Sequence, residues 1–588
     1  MSTRLSTELP TVPEALTDAA ESACGITFVS MQESEETVSY RELSSSTSEI
    51  AAGLGRRGVK KGDRVALILP DEKEFVASFC GIVASGAVAV PLAPPTSVRR
   101  LGSFLASCTP LIRKARARLV VTAPALRSAL GSLRTACPDL RDIVSSQELS
   151  GPGQHVDPGL GPDDPAMIQF TSGSTSEPKG VVLSHGNIAA NCIAIMQEGL
   201  RAEPGDRPLS WLPLFHDMGL IGFVLTPLFA KLPTTLMPPL LFLRRPSSWL
   251  RYLAKHRGTI TYAPNFAYGY ATKRIKDEQI EGIDLSSVRV LGCGAEPIHA
   301  ETLRGFARRF AAYGIREEAF YPSYGMAESS LAISFGRGIP VERVCRRELA
   351  LDNHAVAADG NDKDGALELV GCGRAFSGHG LKIVDPVSGK PLPQRRVGEI
   401  RIEGPSVTSG YFEAPEHTAA LFDEEGWLRT GDLGYVSNGQ LFPCGRSKEM
   451  IIIRGRNYYP QDIEWAAGCV DGVRTGCVVA FGRRAADGSD ELVLVAETKP
   501  NHDEAAVARE VRLAVRNAIG LRVDAVEIVE RNTIPKTSSG KLQRAAARRM
   551  LETGIWRDNG KDGALLTVGR LLESQLAHLR HRLFDRGT

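Results

Sequence analysis

The 588-residue chain lacks the marks of a metal-stapled, membrane-spanning or nucleic-acid-coating protein. Its 11 cysteines form no C-x-x-C pair and no Cys/His cluster. Such an odd, scattered set argues against a disulfide framework or structural zinc and is expected of reduced thiols in the cytoplasm. No long basic run occurs and the formal net charge is only +2, which excludes a general nucleic-acid binder and leaves any charged partner to a local patch. The most apolar stretch, Leu220–Leu243, is interrupted by Lys231 and four prolines. It falls short of a bilayer span and reads as core or as the wall of an apolar pocket. Met1–Glu21 is polar and broken by Pro10 and Pro13, unlike a secretory leader. There is no internal repeat.

What is present is the composition of a soluble globular protein, 43% hydrophobic and 23% charged, at a length that calls for two or more domains. Thr37–Glu42 reads as a strand entering a helix, with Ser39 and Glu42 at capping-box spacing. Gly53-Leu-Gly-Arg-Arg-Gly58 matches G-x-G-x-x-G, but it follows a helix and precedes the strand Val65–Leu69. A dinucleotide fingerprint needs the opposite order, so the run is expected to stop the helix and turn the chain. Further on, a helix over Phe75–Ala84, strands at Ala87–Pro91, Leu119–Thr122, Val288–Leu291 and Leu381–Val384, and a helix over His299–Phe310 alternate. That pattern predicts an α/β architecture with largely parallel sheets. A boundary is expected near Gly445–Lys448. Beyond it lie strands at Cys477–Phe481, Glu491–Glu497 and Ala525–Val529 and a helix over Glu504–Ile519, enough for a second domain. Residues 560–588 form a basic tail with leucines at helical spacing, expected to pack on that domain.

The densest chemical signal is Phe170-Thr-Ser-Gly-Ser-Thr-Ser-Glu-Pro-Lys179-Gly180, set between two apolar, strand-like segments. Backbone N–H groups, hydroxyls and one ammonium around so little bulk suit a polyphosphate. The lysine precedes the last glycine and a β-branched run follows, which disfavours a Walker loop. By itself the segment fits a hydroxyl-rich surface hairpin equally well. Five other segments accompany it. Ser210-Trp-Leu-Pro-Leu-Phe-His216 sets a histidine among apolar residues. Tyr321-Pro-Ser-Tyr324-Gly-Met-Ala-Glu328 joins an aromatic platform to a carboxylate. Thr430-Gly-Asp432 offers a second carboxylate, and Gly445-Arg446 sits at the boundary. Ile534-Pro-Lys-Thr-Ser-Ser-Gly540-Lys541 places a lysine on a flexible loop.

In this order and spacing the set resembles the adenylate-forming superfamily of acyl-CoA ligases, firefly luciferase and peptide-synthetase adenylation domains, over about residues 15–550. His216-Asp-Met-Gly-Leu-Ile-Gly, Pro264-Asn-Phe-Ala-Tyr268, Gly294-Ala-Glu-Pro297 and Ile452-Ile-Arg-Gly-Arg-Asn-Tyr-Tyr-Pro460 are most similar to the fatty acyl-AMP ligases. The resemblance implies a large N-terminal domain, residues 1–445, of two stacked α/β subdomains and a β-subdomain. A hinge at 446–450, centred on Lys448, and a small mobile α+β domain at 451–588 would follow. It also implies activation of a fatty acid by ATP and Mg²⁺ to acyl-AMP and pyrophosphate, then acyl transfer to the phosphopantetheine thiol of an acyl carrier protein.

By this resemblance Thr171, Ser172, Gly173, Ser174, Thr175 and Lys179 would hold the β- and γ-phosphates, and Glu328 would help hold Mg²⁺. Tyr324, with Gly325, Met326 and Ala327, would stack on adenine beside the backbone of Gly294, Ala295 and Glu296. Asp432 and Arg446 would take the ribose. Lys541 would bridge the carboxylate and the α-phosphate, with Lys536 as a nearby competitor. His216 would gate the carboxylate site, and Trp211, Phe215, Met218, Gly219, Ile221, Tyr262, Phe266 and Tyr268 would line the acyl tunnel. Taken singly, each has a plainer reading as core, turn or solvated residue. An insertion restraining the small domain is expected within Val341–Gly365, although its composition also suits a polar surface loop. No Asp-Ser-Leu-type carrier site occurs in the chain, so the carrier is expected to be a separate polypeptide. An acyl-CoA synthetase using free coenzyme A and a non-catalytic nucleotide-binding regulator remain the alternatives.

Overall fold

The computed structural model describes residues 9–95, 101–151, 153, 155–171, 178–359, 365–484, 490–537 and 540–553. At the start of the helix Tyr40–Arg56, the Ser39 hydroxyl accepts the Glu42 N–H at 3.2 Å and the Glu42 carboxylate accepts the Ser39 N–H at 2.8 Å. This is the reciprocal cap that the spacing predicts. The glycine run after it behaves differently from expectation. Gly53 and Gly55 lie inside the helix, and the chain turns only at Gly58, with φ +71°. The reason is close approach: a Cβ on Gly53 would stand 2.1 Å from the Leu149 carbonyl oxygen. The glycine lets the helix press on a neighbouring segment and does not break it.

Two large sheets carry the N-terminal part. The first has six strands in the order Asp142–Ser145, Leu119–Thr122, Arg64–Ile68, Val88–Pro91, Pro165–Thr171 and Lys179–Ser184. All neighbours are parallel except the last pair. Its central strands are buried along their length, as parallel strands covered on both faces must be. The second sheet is built around the parallel strands Ile260–Ala263, Val290–Cys293 and Phe320–Gly325, flanked by the antiparallel Ala332–Phe335 and Arg374–Ala375. A bridge from Pro208 to Ile260 joins it to the strands Leu209–Ser210, Thr234–Leu236, Gly25–Val29 and Glu35–Ser39. The strand expected at Val288–Leu291 forms two residues later. A third, antiparallel sheet follows, with strands Gly380–Val384, Gly398–Glu403, Leu428–Ser437 and Gln440–Arg446. The alternation read from sequence thus yields the expected α/β architecture with an added β-layer. No helix among the described residues is long and apolar enough to cross a membrane.

Past the turn Ser447–Glu449 the chain builds a core of its own. The strands Val473–Arg484, Asp490–Thr498 and Ala525–Val529 form one sheet. Against it the helix Glu504–Ile519 buries Val507, Val511, Val515 and Ile519, one residue per turn on a single face. Several contacts run between this unit, the turn and the rest of the chain. Trp465 stacks on His299 with centroids 4.1 Å apart. Arg544 pairs with Glu464 and with Glu449 of the turn, each at 2.6 Å. Asn457 donates to Asn353 at 3.2 Å. The basic tail at 560–588 lies outside the described residues.

The expected insertion is not a plain loop. Strands Val341–Cys345 and Ala366–Val370 pair antiparallel and enclose the helix Arg346–Asp352. Val344, Leu349, Ala355, Leu367 and Leu369 share a buried cluster with Tyr459 of the small unit. Apolar residues spaced through a polar segment therefore dock it against both parts of the molecule. Residues 360–364 lie outside the described residues.

One buried histidine makes stability pH-dependent. His185 is 1% exposed and its Nδ1 accepts the Val12 N–H at 3.2 Å, fastening the helix Val12–Ala19 onto the helix His185–Ala194. Burial, opposed by Asp164 and Glu14, depresses its pKa from 6.5 to about 4. The unfolded chain therefore takes up this proton first. The stabilisation from the neutral ring is complete above the unfolded value and is lost as pH falls toward the folded one, a change of roughly 3 kcal/mol. Urea unfolding across this window is expected to show the loss, and His185→Gln to flatten it.

Candidate active site

A continuous cleft of about 2630 Å³ opens where the second sheet, the antiparallel layer and the small unit meet. Its walls include the residues just past the carboxyl ends of the parallel strands Val290–Cys293 and Phe320–Gly325, the usual place for a ligand in an α/β sheet. The backbone is strained there: Ala295 has φ +69° and Ser330 has φ +62°, conformations that a side chain disfavours.

Three polar groupings face the cleft. In the first, Asp432 is 9% exposed and accepts from the Tyr324 hydroxyl at 2.8 Å and from Arg446 Nε at 2.9 Å. Its own N–H is fixed by Thr430 Oγ1 at 3.0 Å, so the backbone is anchored within its strand while the carboxylate is held by partners on two other strands. In the second, Glu328 accepts from the Tyr411 hydroxyl at 2.8 Å. Burial pushes the Glu328 pKa up, against the Tyr411 hydrogen bond and the Arg446 charge. Lys179 lies 4.9 Å from the Tyr411 ring centroid. Burial and the ammonium groups of Lys448 and Lys114 press its pKa down, while Glu328 opposes them.

In the third grouping, His216 Nδ1 and Asp217 Oδ1 are 2.8 Å apart, and the same oxygen accepts the Met218 N–H at 2.7 Å. Burial works against the Asp217 carboxylate, but His216 and the Lys541 ammonium outweigh it and hold the pKa below the usual range. Glu296 accepts the Phe266 N–H at 2.6 Å. Burial raises its pKa, with Lys541 and Lys536 acting the other way. Lys541, from the small unit, thus exerts its charge on two carboxylates of the large one. Its loop is fixed by the Lys541 N–H to Thr537 Oγ1 at 3.0 Å and the Thr537 N–H to the Lys541 carbonyl at 2.8 Å. Lys536 is engaged at home, donating to the Gly476 carbonyl at 2.8 Å and to Cys477 Sγ at 3.3 Å.

The cleft brings together Thr171, Lys179, His216, Ala295, Glu296, Tyr324, Gly325, Met326, Ala327, Glu328, Asp432, Arg446, Lys448 and Lys541. Ser172, Gly173, Ser174 and Thr175 lie outside the described residues. Trp211, Phe215, Met218, Tyr262 and Phe266 line the cleft. Tyr268, Ile221 and Gly219, expected beside them, are placed behind the wall. Tyr268 is fully buried against Trp249, Phe306 and Phe320 and donates to the Gly292 carbonyl at 2.7 Å. Ile221 is likewise core, and Gly219 packs on the Pro213 carbonyl. Gly294 also stands back from the cleft, since a Cβ on it would meet Ser323 Oγ at 2.6 Å. Tyr411 and Asp217 were missed as site residues. Asp217 adjoins His216 in a motif already singled out, whereas nothing local marks Tyr411, which arrives from 83 residues beyond Glu328.

The model of AMP-binding enzymes matches residues 16–412. The chain belongs to the AMP-binding enzyme family. It is 36% identical over 562 residues to a putative acyl-CoA synthetase of Caulobacter vibrioides, covering 94% of this chain and 97% of that one. It is 33% identical over 534 residues to the medium-chain-fatty-acid–[acyl-carrier-protein] ligase JamA of Moorena producens, covering 87% and 89%. A solved structure from work on fatty acyl-adenylate ligases of E. coli and L. pneumophila superposes with a TM-score of 0.86 at 35% identity, covering 93% of this chain and 98% of that one. This AMP-binding enzyme is accordingly an adenylate-forming ligase with the α/β fold of the fatty acyl-AMP ligases.

Proposed function

We propose that this enzyme activates a fatty acid with ATP to an acyl-adenylate and hands the acyl group to the phosphopantetheine thiol of a separate acyl carrier protein. The observation that carries the first half is the convergence of Lys541 with the His216–Asp217 pair and Glu296 in a cleft that apolar side chains also line. A carboxylate attacking the α-phosphorus brings two anions together, which requires a cation aimed between them. Lys541 is that cation. Asp432 and Arg446 hold the ribose, with Tyr324 against the adenine beside Ala295 and Glu296. Thr171, Lys179 and the loop between them take the terminal phosphates.

Mg²⁺ fits the donor set. Glu328 is a single buried carboxylate whose pKa burial has raised, and the neutral Tyr411 phenol donates a hydrogen bond to it. A hard cation shared with phosphate oxygens suits such a group, because Mg²⁺ usually takes one or two protein carboxylates. When bound it supplies charge neutralisation to the phosphates.

Support for a carrier-protein acceptor comes from the helix Arg346–Asp352. It packs between the antiparallel layer and the small unit, where Tyr459 joins its buried cluster. Residues 1–445 act as the adenylating domain and 451–588 as the small domain that turns about 446–450. The docked helix restrains that turn, and JamA, by its name, acts on an acyl carrier protein. The Caulobacter vibrioides relative is named a putative acyl-CoA synthetase, which keeps free coenzyme A as the second reading. The activity itself is tested by incubating protein, ATP and Mg²⁺ with fatty acids from octanoic to hexadecanoic. Acid-dependent release of pyrophosphate with acyl-AMP formation is expected; release of ADP and phosphate contradicts the reading. Lys448→Pro, which stiffens the turn, is expected to slow acyl transfer and spare adenylation, measured as separate half-reactions. Equal loss of both steps would remove Lys448 as the hinge.

A further inference from the structure

Away from the cleft, the small unit buries a carboxylate in an otherwise apolar strand. The strand Asp490–Thr498 turns Val493 and Val495 to a cluster that also holds Val479, Ile534 and Ala547. Side chains alternate along a strand, so the next position on that face belongs to Glu497, which is 1% exposed. One of its oxygens accepts the Ile534 N–H at 3.0 Å, and the other pairs with Arg474 Nη1 at 2.6 Å. The same Arg474 nitrogen donates to Asn532 Oδ1 at 3.0 Å. Asn532 has φ +65°, so the chain turns there in the left-handed region. Glu497 thus grips the backbone directly and, through Arg474, the turn just ahead of it.

The gripped segment leads into the loop of Lys541. The Pro535 carbonyl accepts the Gln543 N–H at 3.0 Å, Lys536 bridges Leu542, and Thr537 and Lys541 are tied to each other. The loop is therefore a hairpin whose incoming leg rests on Glu497. Its outgoing leg is held by Arg544, paired with Glu464.

A buried ion pair is costly to desolvate, and well-packed apolar residues in its place are often no less stable. What a carboxylate adds is direction, a charge-assisted hydrogen bond to one chosen N–H. We infer that Glu497 is a positioning residue for adenylation: by fixing the incoming leg of the hairpin it sets where the Lys541 ammonium stands against Asp217 and Glu296. This rests on the reading of Lys541 as the cation of acyl-AMP formation.

The test is a double-mutant cycle on the full chain, with acyl-AMP formation measured for wild type, Glu497→Leu, Lys541→Met and the double variant. Melting temperatures check that each is folded. Glu497→Leu is expected to lower kcat by about tenfold or more, the cost of a small misplacement of a charge donor. The KM for ATP is expected to stay within about twofold, because Asp432, Arg446 and Tyr324 stand on other strands. In the Lys541→Met background the same substitution is expected to cost less than about twofold, since no ammonium is left to misplace. A Glu497→Leu rate within about twofold of wild type, or an equal loss in both backgrounds, overturns the inference. If Glu497→Leu does not fold, Arg474→Met, at a side chain 34% exposed, replaces it in the cycle and is judged by the same ratios. An undiminished rate in Lys541→Met overturns the reading of the lysine itself.

Discussion

Lys541→Met is expected to lower the rate of acyl-AMP formation by about 10²–10³, the loss seen when one preorganised donor to a developing charge is removed. The effect is electrostatic. Lys541 stands on a loop pinned at its base by Thr537, yet its charge is felt by Asp217 and Glu296 on the opposite wall. Beside protein, where the effective dielectric constant is below that of bulk water, such a charge acts more strongly than in solution. Methionine keeps the length of the stem and removes the charge, so the loop is retained. Lys536→Met is the control, because that ammonium serves the Gly476 carbonyl and Cys477 within the small unit. Single-turnover acyl-AMP formation measures both variants. A larger loss at Lys536 than at Lys541 would show the lysine assignment to be reversed.

Asp432→Ala is expected to raise the KM for ATP by about 10² or more. It removes two hydrogen-bond positions on a charged group, each worth about 1.5–3 kcal/mol. Asp432 is held by Tyr324, Arg446 and Thr430 before any nucleotide enters. Such preorganisation lets the carboxylate meet two ribose hydroxyls without first being ordered. Truncation also frees Tyr324 and Arg446 from their common partner. Part of the effect is therefore disorder of the adenine platform, and a lower melting temperature is expected to accompany it. Asp432→Asn, which keeps the shape and loses the charge, is expected to fall between wild type and Asp432→Ala. An unchanged KM for ATP in a folded Asp432→Ala protein would exclude the ribose role.

Much of this molecule was legible in its sequence because local signals and tertiary demands agree. Ser39 and Glu42 cap the helix they were expected to cap, and Ala525–Val529 and Glu504–Ile519 form as read. The failures come from tertiary contacts. Gly53 looked like a helix stop, but only the approach of Leu149 explains it. Tyr268 looked like a tunnel residue, but its hydroxyl is committed to Gly292 and its ring to three aromatic neighbours. Ile221 sits one step round from the wall-forming positions of its own segment. Tyr411 carries no motif, and only folding brings it to Glu328. The insertion was located but not its form. Its buried residues are few and find their partners in other segments, among them Leu433 and Tyr459.

The acceptor is the centre of the account. The most direct measurement loads the enzyme with ATP, Mg²⁺ and its best acid, then follows acyl-AMP after adding free coenzyme A or a holo-acyl carrier protein. Acyl-AMP that persists with coenzyme A and is consumed by the carrier protein, with acyl-carrier thioester appearing, is the predicted result. Rapid conversion to acyl-coenzyme A, with the carrier protein left unloaded, would contradict it.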